Sequence, residues 1–196
     1  MNIIKNLYMS ITSPVKVMSQ EESEGRLTAS FLTVIACALA GSVIAPVAYY
    51  LAFRHKYDLS LQLHSILITF GASILTWIAA SAVLWGLSSV FKKGLGLRQI
   101  LSTWGFSYTP NLICIIAYNL ILLKSSILSD SNVTVFFINT FFIMLLVWKA
   151  LYYFIEMRHV IKTTVPELFI ITVISGLSFA LLMAAGGAVG IEIPMI

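Results

Sequence analysis

Charged side chains are the scarcest class of residue in this sequence. Asp, Glu, Lys and Arg make up 10% of the 196 residues, whereas soluble domains carry about 25%. Hydrophobic residues make up 59%, which is more apolar surface than one water-soluble core of this size can hide. The composition therefore excludes a soluble globular domain and predicts an integral membrane protein.

Residue types that support catalysis or metal binding are also rare. The two cysteines, Cys37 and Cys114, lie in apolar stretches, where a thiol behaves as a small hydrophobe. The three histidines, His55, His64 and His159, lie in separate parts of the chain. No nucleophile constellation, HExxH motif, Walker A loop, GxGxxG motif or paired-cysteine zinc motif is present. We therefore expect no enzyme activity, no cofactor and no metal site.

Basic residues outnumber acidic residues by 12 to 8, but they are scattered singly and in pairs between apolar runs. That pattern is typical of membrane topology and not of a nucleic-acid surface. We expect the lipid bilayer to be the main partner and expect no nucleic acid to bind.

Five charge-free runs divide the chain, and each is long enough for a helix that spans about 30 Å of hydrocarbon. Unsatisfied backbone groups cost several kcal/mol each in lipid, and the runs lack the alternation of a membrane barrel. The sequence therefore predicts an all-α, polytopic membrane bundle of five transmembrane helices. Lys149 interrupts the fourth of them. The predicted helices cover residues 29–53, 64–91, 104–123, 133–155 and 167–190.

The segment before the first run has its own helical pattern. Apolar residues recur at helical spacing until Ser13 and Pro14 stop them, which predicts a short N-terminal amphipathic helix at the membrane interface. A frayed polar tail is the alternative, because so short a helix is marginal without a surface to bind. We assign residues 1–28 to a cytoplasmic amphipathic segment and linker, the linker over 19–24, and residues 29–196 to a single membrane domain. The apolar residues are Ile3, Ile4, Leu7, Tyr8 and Ile11.

Basic residues outside the predicted helices favour one side of the membrane by eight to three. Loops rich in Lys and Arg remain in the cytoplasm. We therefore expect a multi-pass protein of the cell membrane, with its N-terminus in the cytoplasm and its C-terminus outside. The eight are Lys5, Lys16, Arg26, Lys92, Lys93, Arg98, Arg158 and Lys162, and the three are Arg54, Lys56 and Lys124.

Lys149 and Glu156 are seven positions apart, on nearly the same face of the fourth predicted helix. One interpretation is that they line a polar intramembrane cavity. The other is that Lys149 extends to the cytoplasmic boundary while Glu156 lies among headgroups beside Arg158 and His159. The sequence leaves both open.

The third predicted helix carries a polar stripe that includes Asn111 and Tyr118, with Asn119 beside it. Such residues either contact a substrate or ion, or form hydrogen bonds between helices. On the fifth helix, Gly186 and Gly190 form a GxxxG pattern, which indicates close helix packing within the bundle or between copies.

Three features together resemble the Yip1 domain family: five crossings with the N-terminus inside, the opening Thr12-Ser13-Pro14-Val15-Lys16, and the sequence Trp104-Gly105-Phe106-Ser107-Tyr108-Thr109-Pro110. The family pattern is carried by Gly105, Phe106 and Pro110, although Phe106 stands where the family often has tyrosine. Eukaryotic members bind Rab-type GTPases through a longer N-terminal region with an Asp-Leu-Tyr-Gly-Pro motif. This chain lacks both features and is similar to the short, prokaryotic type, so the resemblance does not extend to GTPase binding.

Two functions follow as hypotheses. The first is a non-enzymatic Yip1-like protein that organises or scaffolds the membrane and associates with itself. The second is a small transporter or channel with a polar cavity between the third and fourth helices, formed by Lys149, Glu156, Asn111, Tyr118 and Asn119.

Overall fold

The computed structural model describes residues 3–19, 26–52, 59–123 and 132–188. Every secondary-structure element within these ranges is helical, which confirms the all-α prediction. Five stretches are long and apolar enough to cross a membrane, as predicted. They are Arg26–Ala48, Ile66–Val90, Leu97–Ile121, Val135–Val160 and Val165–Leu182.

The first of these stretches is not one regular helix. Helix α3 (Arg26–Leu39) passes through a π-helical segment, Ala40–Ile44, into α4 (Ala45–Ala52). Pro46 is the second residue of α4, and its missing N–H and its ring disturb the regular hydrogen-bond ladder of the preceding turn. The second stretch lies within the uninterrupted helix α5 (Leu59–Val90).

The third stretch begins at Leu97. The prediction that this helix begins at residue 104 was wrong. The stretch consists of α6 (Leu97–Trp104), a 3-10 turn (Gly105–Ser107) and α7 (Tyr108–Leu123). Ser102 and Thr103, which precede residue 104, lie in a helix and form hydrogen bonds inside the bundle. Pro110 lies in the first turn of α7, where a backbone N–H needs no helical partner, so it does not interrupt the helix.

The fourth stretch consists of α8 (Asn132–Ile155) and a π-helical segment, Glu156–Val160, and the fifth lies within α9 (Val165–Ala188). Glu167 accepts a hydrogen bond from the backbone N–H of Thr164 at 2.7 Å, as in a capping box. Its carboxylate also pairs with Lys93 at 2.6 Å. This pair ties the loop after α5 to the start of α9.

The predicted N-terminal helix is present as α1 (Ile3–Thr12), and a second short helix, α2 (Pro14–Ser19), follows it. Together they form the N-terminal hairpin, which packs on α3, α8 and the π-helical segment after α8. Beyond Ser19, the predicted linker lies outside the described residues.

The interior contains two clusters of buried apolar residues. The larger joins α3, α5, α6 and α7 through residues such as Val34, Trp77 and Tyr108. The smaller lies under the N-terminal hairpin. It consists of Val17, Met18, Ala29, Phe106, Tyr152, Ile155 and Val160.

Candidate functional site

The three motif residues lie where the third span meets α3. A Cβ atom at Gly105 would overlap Oγ of Ser30 and lie 2.9 Å from the Ser30 carbonyl oxygen, so this contact requires glycine. Phe106 is fully buried in the cluster under the hairpin. Pro110 is buried too. The motif therefore holds two helices together and exposes no reactive group.

A buried polar layer lies beside this contact, formed by Arg26, Ser102, Thr103 and Glu156. Each of the four residues is 0% exposed. Nε of Arg26 donates to Oγ of Ser102 at 3.1 Å, and the hydroxyl of Thr103 donates to Oε1 of Glu156 at 2.7 Å. The positive charge of Arg26 is within electrostatic reach of Glu156. The layer thus joins α3, α6 and the π-helical segment after α8.

The burial of Glu156 corrects the interpretation that places it among headgroups. Arg158 and His159 are exposed, as that interpretation requires, but Glu156 points into the bundle. A π-helical segment begins at Glu156, and the N–H of Ile161 donates to its carbonyl oxygen at 2.9 Å. The bond from Thr103 and the charge of Arg26 offset part of the cost of burying the carboxylate.

Several polar atoms at this end of the bundle are buried without a hydrogen-bond partner among the described residues. They are Oε2 of Glu156, Oγ of Ser107 and both amide atoms of Asn6. An unsatisfied buried polar group costs about 1–3 kcal/mol. Native proteins usually meet such groups with water or a ligand.

Lys149 belongs to a different polar group. Its Nζ donates to Oδ1 of Asn111 at 2.9 Å and lies 5.6 Å from the centre of the Tyr108 ring. This contact corrects the interpretation in which Lys149 extends to the headgroups. The same contact confirms, for Asn111, the predicted hydrogen bond between helices. The hydroxyl of Tyr108 is buried and has no hydrogen-bond partner among the described residues.

The other members of the predicted cavity do not join this group. Tyr118 is 56% exposed and packs against Phe142 with ring centres 6.4 Å apart. The side-chain amide of Asn119 donates to the carbonyl oxygen of Ile115 on its own helix at 2.7 Å. Lys149 pairs with Asn111, whereas Glu156 pairs with Thr103, so the five residues do not form one site.

The predicted glycine pattern on the fifth helix is only partly described. Gly186 lies near the end of α9, and Gly190 lies outside the described residues. Earlier small residues of α9 face away from the bundle: a Cβ atom at Gly176 would meet no atom within 4 Å, and Ala180 and Ala184 are exposed.

No model of a known protein family matches this chain, and comparisons with curated proteins and with solved structures give no match either. The Yip1 resemblance therefore remains a prediction. It rests on Gly105, Phe106, Pro110 and the five apolar helices.

Sequence reasoning missed three of the four residues of the polar layer. The distribution of basic residues gives Arg26 only a role in topology, and the predicted start at residue 104 leaves Ser102 and Thr103 outside the third helix. One signal could have found Ser102 and Thr103: the charge-free run that follows Arg98 already includes them, and a span predicted over the whole run would have placed both in the third helix.

Proposed function

We propose that this chain is a Yip1-like integral membrane protein that organises the membrane without catalysing a reaction. The orientation of α1 carries the proposal. The polar residues Asn6 and Ser10 of α1 are buried against the protein, while Ile4 is 72% and Tyr8 is 67% exposed. A soluble protein would have the reverse arrangement, because exposed apolar surface is unfavourable in water.

The bundle holds α1 in this orientation. The hydroxyl of Tyr152 on α8 donates to the carbonyl oxygen of Ser10, and Val17 and Met18 of α2 pack into the smaller apolar cluster. Ile4, Tyr8 and Ile11 consequently face outward at one end of the bundle. Full burial of one such side chain in an apolar medium is worth about 1.5–3 kcal/mol. The lipid of one leaflet can provide that burial.

We place this leaflet on the cytoplasmic side of the cell membrane, with the C-terminus outside. Lys5 and Lys16 on the hairpin are exposed, and each basic residue near an anionic leaflet contributes about 1 kcal/mol of attraction. A hairpin that occupies area in one leaflet only would expand that leaflet and favour curvature. Self-association through the outward small residues of α9 would concentrate the effect.

We expect the triple variant Ile4→Ser, Tyr8→Ser, Ile11→Ser to lose membrane deformation while the bundle stays folded. The substituted side chains face away from the protein, so the change removes lipid contact and leaves the buried contacts of α1 intact. Electron microscopy of proteoliposomes at equal protein density, with thermal unfolding in detergent, measures both properties.

Val90→Ser is the matched control, because Val90 is an exposed apolar residue at the end of α5. It should deform vesicles as the unsubstituted chain does. Equal deformation by the triple variant, or none by the unsubstituted chain, would contradict the proposal.

A second function, a small transporter or channel, is favoured by one observation. Lys149 lies inside the fourth span and bonds to Asn111 on the third, and charged residues within a membrane commonly mark substrate or ion pathways. The nearby Tyr108 hydroxyl and the Lys149 ammonium are both donors, which suits a small anion.

On this second proposal, Lys149→Ala should reduce chloride flux into proteoliposomes to the leak rate of protein-free vesicles. Lys92→Ala, which removes an exposed charge, should leave the flux unchanged. Asn111→Leu removes the hydrogen-bond acceptor of Lys149 and should also reduce the chloride flux. If the unsubstituted chain conducts no chloride, or if Lys149→Ala conducts normally, this anion pathway is wrong.

A further inference from the structure

Two lysines at one end of the bundle adopt a backbone conformation that favours glycine. Lys92 follows α5 with φ 53°, and Lys162 follows the π-helical segment after α8 with φ 57°. This left-handed conformation is uncommon for a residue with a Cβ atom, and glycine is the usual residue where a helix ends in this way. Each lysine therefore occupies its position at a cost in backbone strain that glycine would avoid.

Backbone hydrogen bonds fix both helix ends in this conformation. After α5, the N–H of Lys93 donates to the carbonyl oxygen of Ser88 at 3.0 Å, as in a Schellman motif. After the π-helical segment, the N–H of Thr163 donates to the carbonyl oxygen of Met157 at 3.0 Å. The left-handed residue of each turn is thus required by the fold, whereas its identity as lysine is not. Both lysine side chains are exposed.

The two turns lie side by side. Nζ of Lys93 pairs with Glu167 at 2.6 Å and also donates to the carbonyl oxygen of Lys162 at 3.3 Å, so one side chain joins both turns. Nη1 of Arg158 donates to the carbonyl oxygen of Thr163 at 2.5 Å, which holds its guanidinium at the second turn. The carboxylate of Glu167 is already paired with Lys93. The remaining exposed cations of the two turns form the basic face: Lys92, Arg158 and Lys162.

Both turns are too short to extend far from the surface of a membrane. Residues 91–96 and 161–164 are all that lies between successive candidate spans. A chain that leaves and returns projects by at most half its length at about 3.5 Å per residue, or about 10 Å and about 7 Å here. The headgroup region is about 5–8 Å thick on each side of the hydrocarbon. If the chain spans a membrane, the basic face therefore lies at or near the phosphates of the adjacent leaflet.

We propose that the basic face binds the phosphate of an anionic phospholipid. The two ammonium groups donate hydrogen bonds, and the guanidinium of Arg158 has further N–H groups besides the one that Thr163 accepts. Phosphatidylcholine carries a positive choline beside its phosphate, which the three cations repel, so the face selects phosphatidylglycerol over phosphatidylcholine. The strain of the two lysines is the cost of placing charge at these turns. The inference rests on the proposed membrane location but does not need α1 to deform vesicles.

Native mass spectrometry of the full chain, released from vesicles with equal amounts of phosphatidylglycerol and phosphatidylcholine, tests this surface. We expect phosphatidylglycerol to be retained about fivefold more than phosphatidylcholine, a difference of about 1 kcal/mol. The preference should fall when the vesicles are equilibrated at higher sodium chloride, because salt screens exposed charges. The double variant Lys92→Gln, Lys162→Gln removes both charges and should abolish the preference. The control Lys92→Arg, Lys162→Arg keeps them and should retain it.

Lys92→Gly, Lys162→Gly separates lipid binding from a purely structural role. We expect this double variant to unfold at a higher temperature in neutral detergent than the unsubstituted chain, since glycine relieves the strain, and yet to lose the preference for phosphatidylglycerol. Lower stability of the glycine variant, an unchanged preference in it, or equal retention of the two lipids by the unsubstituted chain would overturn the proposal. If inorganic phosphate raised the unfolding temperature as much as phosphatidylglycerol, the assignment to a lipid would be overturned. None of these outcomes depends on vesicle deformation, so they leave the proposed function to its own test.

Discussion

Gly105→Val should separate the third span from α3 and destabilise the bundle by about 3 kcal/mol, at the upper end of the usual cost of overpacking. The first added atom alone would overlap Oγ of Ser30 and lie 2.9 Å from the Ser30 carbonyl oxygen. The Ser30 hydroxyl cannot rotate away freely, because it donates to the carbonyl oxygen of Leu101 at 2.8 Å. Unfolding by sodium dodecyl sulfate, followed by circular dichroism, measures the loss.

Gly176→Ala is the control for this substitution. A Cβ atom there would meet no atom within 4 Å, and alanine is favoured over glycine in a helix by about 1 kcal/mol. It should unfold at the same or a higher detergent fraction than the unsubstituted chain. Ser30→Gly should partly rescue Gly105→Ala, since it removes the Oγ and Cβ atoms that the new Cβ would meet. Equal stability of Gly105→Val and the unsubstituted chain would show that the contact is not close.

The five spans could be predicted because each is encoded locally. A charge-free run of sufficient length identifies a candidate span without any knowledge of its neighbours. Helix α1 was also predictable, since Ile4, Tyr8 and Ile11 repeat at helical spacing. The burial of its polar face was not predictable. Asn6 and Ser10 are buried because this face of α1 packs on the bundle, and that packing depends on residues far away in the sequence.

The polar layer could not be predicted, because its members come from three separate parts of the chain. Arg26 and Ser102 are 76 positions apart, and Thr103 and Glu156 are 53 apart. A charged residue at the end of an apolar run can face either the headgroups or the protein interior. The sequence pattern is the same in both cases. The side chain of Glu156 turns inward at a π-helical segment, and such a segment has no simple sequence signature. Lys149 and Asn111 were both among the residues of the predicted cavity, but the structure was needed to show that Lys149 donates to Asn111 while Glu156 pairs with Thr103.

Glu156→Ala should destabilise the protein by about 1–3 kcal/mol, the usual cost of leaving a buried hydrogen-bonding group without its partner. The substitution deprives the Thr103 hydroxyl of its acceptor and leaves the charge of Arg26 in the layer without the nearby carboxylate. Glu167→Ala, which removes the carboxylate of the more exposed pair with Lys93, should have a much smaller effect. Detergent unfolding of the two variants side by side compares the buried and the exposed carboxylate directly.

A double-mutant cycle separates the charge interaction from the loss of packing. Arg26→Met and Glu156→Leu should each be strongly destabilising. The double variant should be more stable than the sum of the two losses predicts, because apolar residues of similar volume remove both buried charges together. Additive losses would show that Arg26 and Glu156 do not interact. A coupling energy of about 1 kcal/mol or more would establish that the layer is electrostatically one unit, and it would explain why two charged residues remain inside a bundle that is otherwise so poor in charge.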